Sequence, residues 1–385
     1  MSTYLSHSDI STFKACRQKW DYSSVNRQSL RHKKTPALYL TEGSGFHEAI
    51  EAAVYGRDPF IATKEYLAAE REKVVDAYRE ETGFEPWPSE MREFDESAEL
   101  TMAIVRQYFD HYGIEDSLRD QGLTYLAAEI PFKIEITEKV VSGTKLDISD
   151  PVYYVGTFDG LATDDNGNLW IVENKTYQAK PDVEDLQYHS QCNGYAVAFE
   201  MLTGMRLTGI LYNGVAKQLI KKPKILTNGL PSTDKRQLVT LQSYLDGLKE
   251  AGADPFDPRY FEIIAFLQER ERQGDSRFFH REKIFFNEAQ VRSWYDDLIT
   301  VAREMINNPA IYRTVPYNGC GPRGQGCWFR DLCHTQYDGG DVQSVMDARY
   351  VTGSYGTMLA MQTEPTVVGS VSELKDFLKE LKNAQ

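Results

Sequence analysis

Apolar side chains along the first 120 residues recur at the three- and four-residue spacing of amphipathic helices. Ile10, Phe13 and Trp20 share one face of such a stretch, and Ser8 precedes them as an N-cap residue type. The spacing predicts four helices, which cover residues 8–22, 44–55, 61–81 and 95–112.

The pattern changes to an alternation of period two at about residue 123, where strand-forming residues are also enriched. Three strands are predicted here, at 123–137, 152–163 and 168–176. The elements that follow are a helix at 183–204, a strand at 207–215, an insertion at about 221–258 that contains one helix, a strand at 277–286, and a helix at 287–308 capped by Asn287. Strands combined with a crossover helix predict an α/β core with added helices.

The hairpin between the second and third predicted strands places Asp159, Glu173 and Lys175 among residues expected in a core. A two-residue Asn-Gly turn would put Asp159 opposite Asn174. A three-residue loop at 165–167, ending in a left-handed glycine, would instead put Asp159 opposite Glu173, with Lys175 on the same face. The sequence permits both turns, but only the longer loop gathers the three charges.

Two opposed carboxylates repel each other unless something compensates their charge. A hard divalent cation with oxygen ligands would do so, and it could promote phosphodiester hydrolysis. Lys175 beside it could orient water or neutralise charge in the transition state. Spacing alone equally allows Asp159 to belong to a turn while Glu173 and Lys175 form a solvated face.

The bulk composition is that of a globular protein, with 41% hydrophobic and 26% charged residues. No run of about 18 apolar residues is present, so no membrane partner is expected. The start of the chain has no apolar segment like that of a signal peptide, and we therefore expect a cytoplasmic location. The formal net charge of −14 argues against nucleic acid when taken alone, although a local basic groove can occur on an acidic protein.

Five cysteines are unevenly distributed along the chain. Cys16 and Cys192 stand alone, whereas Cys320, Cys327 and Cys333 fall in one glycine-rich segment. An odd number without a secretory signal argues against a disulfide framework. Three clustered thiolates suggest a metal site, but they do not complete a tetrahedral one.

Several segments together resemble the PD-(D/E)XK nuclease superfamily in its RecB-like branch. The sequence GTFD at 156–159 followed by IVENKT at 171–176 is similar to the signature of that superfamily. EGSGFHEAIEAA at 42–53 resembles the helix upstream of the signature, and QCNGYA at 191–196 resembles the Gln-x-x-x-Tyr helix that follows it. SHSDISTFKACRQKWDY at 6–22 resembles the N-terminal segment of iron–sulfur members such as AddB, the CRISPR-associated RecB-like exonucleases and phage exonucleases.

The resemblance implies a restriction-endonuclease-like mixed sheet flanked by helices and an Mg²⁺- or Mn²⁺-dependent DNA exonuclease acting in recombination, repair or DNA processing. By this resemblance, metal binding falls to His47, Asp159 and Glu173. Lys175 would orient water, and Gln191 would position the DNA strand. Glu129 would be a further acid near this site. Because no P-loop sequence occurs, DNA with a free end or a single strand is expected as substrate, with any helicase or recombination protein acting in trans.

The resemblance also implies a [4Fe–4S] cluster held by Cys16 from the N-terminal segment together with Cys320, Cys327 and Cys333. The six-residue gap between the first two C-terminal cysteines departs from the usual two, and structural zinc is the alternative. Cys192, inside the Gln191 helix, is predicted to be a core residue.

The predicted organisation is an N-terminal helical region at 1–122, a nuclease core at 123–310, a cysteine region at 311–340 and a tail at 341–385 that ends in a charged helix. Two further hypotheses remain open from the sequence. One is a non-catalytic nucleic-acid-binding or accessory protein with a degenerate nuclease fold and a four-cysteine zinc site, and the other is an acidic oligomeric scaffold.

Overall fold

A mixed six-stranded sheet forms the centre of the fold. The structure, a computed structural model, describes residues 3–33, 41–115, 117–136, 151–182, 186, 190–274, 276–307, 309–313, 327–352 and 376. Helices flank the sheet, so the predicted α/β class with a mixed central sheet is confirmed.

The sheet contains both parallel and antiparallel neighbours. Its strands are β1 (Thr3–Ser6), β3 (Leu123–Glu135), β4 (Val152–Asp164), β5 (Leu169–Tyr177), β6 (Gly209–Ala216) and β7 (Phe279–Ile284). The order runs β1-β4-β5-β6-β7, and β3 also pairs with β4. The pairs β1–β4 and β5–β6 are parallel, whereas β3–β4, β4–β5 and β6–β7 are antiparallel. A separate two-stranded sheet joins β2 (Leu30–His32) to β8 (Tyr350–Thr352).

Several helices begin or end at residues whose chemistry favours those positions. In chain order they are α1 (His7–Ala15), α2 (Arg17–Ser23), α3 (Thr41–Val54), α4 (Pro59–Thr82), α5 (Pro88–Tyr112), α6 (Ser190–Thr203), α7 (Leu241–Glu250), α8 (Phe261–Arg272), α9 (Glu288–Ile306), α10 (Arg330–Tyr337) and α11 (Val342–Arg349). Asp58 caps α4, which ends at the left-handed Gly83. Asn287 caps α9 through the N–H of Gln290, as predicted.

Two groups of helices cover opposite faces of the sheet. On one face α6 and α9 pack with α1 around a large core that includes Phe132, Phe158 and Ile171. On the other face α3 and α5 pack around Phe46 and Ile104. Successive strand residues point to opposite faces, so neighbouring residues of β5 contact different helical layers.

The N-terminal segment differs from the prediction. One helix at 8–22 was expected, but α1 and α2 are separated at Cys16, whose backbone is extended with φ −159°. The N-cap of α1 is Ser6 rather than Ser8. The four-residue β1 was not predicted, because so short a segment gives no measurable alternation.

The insertion folds as predicted around one helix. The predicted insertion helix is α7, and α8 follows it with a small core of its own around Tyr244 and Tyr260. The predicted helix at the end of the tail lies outside the described residues, apart from Asp376. None of the helices in the described parts of the chain has the length and apolar character needed to cross a membrane.

Candidate active site

The turn between β4 and β5 has three residues, the longer of the two possibilities that the sequence allowed. Asp164 and Asn168 close the turn through a backbone hydrogen bond of 3.1 Å, and residues 165–167 lie between them. Gly167 has φ +79°, the left-handed conformation that glycine adopts without steric cost. The Asp164 carboxylate accepts the N–H groups of Asn166 and Asn168, which holds the loop in this shape.

The turn sets the register of the two strands. Gly160 pairs with Val172 and Leu161 with Ile171. Continuing this register by one residue places Asp159 opposite Glu173, which is the arrangement that the longer loop predicts.

Asp159 lies at a fork in the sheet. Because β3 occupies one edge of β4 along its length, β1 and β5 must share the other edge. The pairing with β1 stops at Val155 and the pairing with β5 starts at Gly160, so the ladder is open between them. The carboxylate of Asp159 bridges this opening, since its Oδ2 accepts the backbone N–H of Asn174 at 2.9 Å.

His47 reaches this fork from α3 and joins two acids. Its Nδ1 is 2.9 Å from Oε1 of Glu129, and its Nε2 donates to the carbonyl oxygen of Asn174 at 3.0 Å. Nε2 also lies 3.8 Å from Oδ2 of Asp159. One ligand atom from each of His47, Glu129 and Asp159 lies within 4.8 Å of the other two, a group that could hold a metal ion.

Glu173 and Lys175 form an ion pair on β5, in which the carboxylate is buried and the lysine is partly exposed. The Glu173 side chain is 0% exposed, and Lys175 Nζ is 2.5 Å from its Oε1. The other carboxylate oxygen, Oε2, has no hydrogen-bond partner among the described residues. A buried carboxylate oxygen without a donor is costly unless a ligand satisfies it.

Burial and neighbouring charges act together on these side chains. Burial tends to lower the pKa of His47, but the charges of Asp159 and Glu129 outweigh it and raise that pKa to about 9. Burial, reinforced by the charge of Asp159, raises the pKa of Glu173 to about 7. Burial also raises the pKa of Asp159 despite the opposing effect of His47. Without a bound cation, the ionised forms of these acids are therefore disfavoured, because burial and mutual repulsion outweigh the stabilisation by neighbouring positive charges.

The comparison with protein families agrees with this geometry. Residues 4–334 match the model of the PD-(D/E)XK nuclease superfamily. The chain belongs to the PD-(D/E)XK nuclease superfamily.

Neither solved structures nor curated proteins contribute to the family assignment. One matching solved structure is titled "Crystal structure of SSO0001"; it is 14% identical and covers 57% of this chain and 71% of that chain. Its TM-score is 0.22, too low for a comparison of folds. A search of curated proteins gives no significant match.

A cavity of about 550 Å³ gives access to the site of this PD-(D/E)XK chain. His47, Glu129 and Asp159 line it together with Gln191 and Tyr195 of α6. Gln191 Nε2 donates to the Tyr195 hydroxyl at 3.0 Å, so its amide is held at the cavity wall. A second cavity, which His47 and Glu129 also line, is bordered by Lys175 and Lys217. The structure thus brings together His47, Asp159, Glu173, Lys175 and Gln191.

The predicted cysteine site is not shown. Cys320 lies outside the described residues, and Cys16, Cys327 and Cys333 do not form a group within 4.8 Å among the residues that are described. Thiolates bound to one zinc ion at about 2.3 Å would be closer than this, so these three thiols do not form a zinc site as they lie. Cys192 is fully buried in α6, as predicted for a core cysteine.

Two residues of the site were underestimated or missed in the sequence. Glu129 was expected only as a further acid, yet it contacts His47 directly, and its φ of +48° is unusual for a non-glycine residue. The sequence feature that indicates Glu129 is the presence of an acid within the apolar run AAEIPF. Asn174 gave no signal, because its contribution is made by backbone atoms.

Proposed function

We propose that this member of the PD-(D/E)XK superfamily is a metal-dependent deoxyribonuclease that degrades DNA from a free end. The observation that carries the proposal is the register that opposes Asp159 to Glu173, with Lys175 beside them and His47 at the fork. A pair of opposed buried acids destabilises a sheet by itself. A role in binding and hydrolysing a phosphodiester would explain why the chain keeps this pair of acids.

The donor set fits a divalent cation. His47, Glu129 and Asp159 offer one ligand atom each within 4.8 Å, and Oε2 of Glu173 has no hydrogen-bond donor among the described residues. Carboxylate oxygens suit Mg²⁺ and Mn²⁺, and proteins commonly bind Mg²⁺ through one or two carboxylates. When bound, such an ion supplies Lewis-acid stabilisation of charge on the phosphate oxygens.

Glu129 determines how His47 can take part. Its carboxylate accepts the N–H of Nδ1, which leaves Nε2 as the nitrogen facing Asp159. A metal-binding histidine commonly donates its other nitrogen to a carboxylate in this way, and the contact fixes the orientation of the ring. In this proposal Asp159, Glu173 and Nε2 of His47 are the ligands. Glu129 lies near enough to be a ligand, but its contact with Nδ1 makes it the residue that orients the histidine.

Lys175 and Gln191 act on the substrate. The Lys175 side chain is 31% exposed and held by Glu173, so its ammonium can donate to water or to a phosphate oxygen without moving far. A fixed positive charge near the developing negative charge stabilises the transition state. The Gln191 amide, steadied by Tyr195, can donate to a neighbouring phosphate of the strand.

Cleavage of linear and closed circular single-stranded DNA of the same sequence tests this proposal. With Mg²⁺ or Mn²⁺ we expect nucleotides to be released from the linear strand, the circle to stay intact, and EDTA to abolish cleavage. A helicase partner in trans would extend the activity to duplexes. Cleavage of the circle at a similar rate would contradict action from an end, and no metal-dependent cleavage of either substrate would contradict the nuclease proposal.

We also propose that Cys16, Cys320, Cys327 and Cys333 hold a [4Fe–4S] cluster. The support is that the segment after Cys16 contacts residues close to Cys320, Cys327 and Cys333 in the sequence. The N–H of Gln18 donates to the carbonyl of Tyr312 at 3.3 Å, and the Tyr22 hydroxyl donates to Gln336 at 2.6 Å. Cys327 and Cys333 pack against the hydrophobic cluster that contains Tyr22.

Iron and acid-labile sulfide in anaerobically purified protein test the cluster. We expect both to be present, to be lost in Cys327→Ala, and to be retained in Cys192→Ala, which alters a core cysteine. Zinc without iron in the wild type, or equal iron in both variants, would contradict the cluster.

A further inference from the structure

A row of polar side chains crosses three strands behind the candidate site. Asn174 of β5 is the register partner of Asn213 of β6, and Asn213 is the register partner of Arg281 of β7. Asn174 and Asn213 are both 0% exposed, and the Arg281 side chain is 3% exposed. Buried polar groups in such a position need specific partners.

The row is continuously hydrogen-bonded. Asn213 Nδ2 donates to Asn174 Oδ1 at 2.7 Å, and Arg281 Nε donates to Asn213 Oδ1 at 2.8 Å. Tyr108 of α5 closes the network, because its hydroxyl oxygen accepts from both Asn213 Nδ2 and Arg281 Nη2 at 2.8 Å. Arg281 also pairs with Asp120 and lies over the ring of Tyr112.

Arginine fixes the direction of the whole row. A guanidinium can only donate hydrogen bonds, so the atom of Asn213 that faces Arg281 must be the amide oxygen. The amide nitrogen of Asn213 must then face Asn174, which has to present its own oxygen. The orientation of the Asn174 side chain is therefore determined at β7, two strands away.

Asn174 transmits this orientation to the opposite face through its backbone. It is the residue between Glu173 and Lys175, whose side chains point to the other side of β5. Its N–H binds Asp159 Oδ2, and in the metal-free protein its carbonyl oxygen also accepts from His47 Nε2. A small rotation of this peptide would move both groups at once.

We propose that Asn213 and Arg281 are positioning residues for catalysis, which act by holding Asn174 so that its backbone N–H aligns Asp159. This inference rests on the proposed function for its kinetic consequences. Groups that support metal ligands from outside commonly change metal affinity or activity by 10- to 100-fold when they are removed.

The most informative variant is Asn213→Asp, which keeps the shape of the side chain and an acceptor for Arg281 but removes the donor to Asn174. Asn174 can then stay hydrogen-bonded to residue 213 only by rotating its own amide, which changes the orientation that the row fixes. Arg281→Lys is a second variant that keeps the charge but loses the two-atom contact with Asn213 and Tyr108. For both we expect kcat to fall about 10- to 100-fold with KM within about threefold of the wild type, and Mn²⁺ affinity to fall about 10-fold. Amide hydrogen exchange should accelerate in the peptide carrying residues 169–177.

Thr203→Val is the matched structural control. It removes a buried hydroxyl that donates to the Phe199 carbonyl at 2.7 Å in α6, away from the row. We expect it to lower thermal stability while kcat, Mn²⁺ affinity and exchange in 169–177 stay unchanged.

The readouts separate the two proposals. If the wild type cleaves DNA and binds Mn²⁺ but Asn213→Asp and Arg281→Lys behave like Thr203→Val, the positioning role is wrong and the nuclease proposal stands. If the wild type neither cleaves nor binds Mn²⁺, the nuclease proposal is wrong, and the catalytic role inferred for the row falls with it. Unchanged exchange in 169–177 would show that the row does not hold Asn174.

Discussion

Asp159 and Asn174 are hydrogen-bonded at 2.9 Å between a carboxylate oxygen and a backbone N–H, at the place where β5 leaves β4. In an ordinary antiparallel pair this N–H would bond to the neighbouring backbone. Here an acidic side chain takes that position, and the same oxygen, Oδ2, lies 3.8 Å from Nε2 of His47. The fork in the sheet thus creates an opening in the strand ladder and places the carboxylate of Asp159 in it.

Asp159→Asn should weaken the binding of Mn²⁺ by at least about 10-fold. The amide keeps the size of the side chain but removes the charge and one strong oxygen donor. Isothermal titration of Mn²⁺ measures the effect. Glu200→Gln is the control because Glu200 is an exposed acid at the far end of α6. Equal affinity in both variants would show that Asp159 is not a ligand.

Metal binding should release a proton from His47 at neutral pH. Its pKa is raised to about 9 in the metal-free protein, so the ring carries a proton that a bound metal must displace. Mn²⁺ affinity should rise up to about 10-fold per pH unit between pH 7 and 9 and level off above that. Titrations in buffers of different ionisation enthalpy count the protons released. His47→Gln should flatten the rise, and an equally steep rise in that variant would assign the proton to another group.

The metal-free protein should lose stability as the pH rises from 4.5 to about 7. Glu173 has its pKa raised from 4.5 to about 7, so the folded state holds the proton more tightly than the unfolded state across this range. The contribution of Glu173 to the free energy of unfolding is fully present below pH 4.5 and is lost as the pH rises through 7. At about 1.4 kcal/mol per pKa unit, the loss is on the order of 3 kcal/mol.

Urea unfolding in EDTA at pH 5 and pH 8 measures this loss. Glu173→Gln should show a smaller difference between the two pH values than the wild type, because the amide does not titrate. Mn²⁺ at pH 8 should restore stability to the wild type more than to the variant. The same pH dependence in both proteins would mean that Glu173 is not the titrating group.

Gly167→Ala should destabilise the protein by about 1–2 kcal/mol, since alanine is strained in the left-handed conformation at φ +79°. Gly229→Ala is a matched control in the insertion, where Gly229 has the same φ and nothing within 4 Å of the added methyl in either case. Urea unfolding should give a similar loss for both. Only Gly167→Ala should also reduce cleavage, because only that turn sets the register of Asp159 and Glu173. Equal cleavage rates in the two variants would show that the turn does not control the register of Asp159 and Glu173.

Much of the fold could be predicted because the alternation in β3, β4 and β5 is long and regular. The loop at 165–167 was one of two turns that the sequence permits, and the requirement to gather Asp159 with Glu173 favoured the correct one. The break at Cys16 was not predicted, because helical spacing on either side continues through an extended residue.

The site was only partly predictable for a related reason. Side chains such as His47 and Gln191 could be recognised through the resemblance to the superfamily. The contributions of Asn174 and Arg281 depend on register across β5, β6 and β7, strands that are separated along the chain. Such contacts leave no periodic pattern, so they become visible only in the folded structure.

Cleavage of linear single-stranded DNA by Lys175→Ala in saturating Mn²⁺ tests the central claim most directly. Lys249→Ala, at the exposed end of α7, is the control. We predict Mn²⁺-dependent cleavage by the wild type and the control, and a fall in kcat of at least about 100-fold for Lys175→Ala, since a preorganised charge near the reacting phosphate contributes on this scale. A folded Lys175→Ala protein that cleaves at the rate of the wild type would contradict the assignment of the fork as the catalytic site.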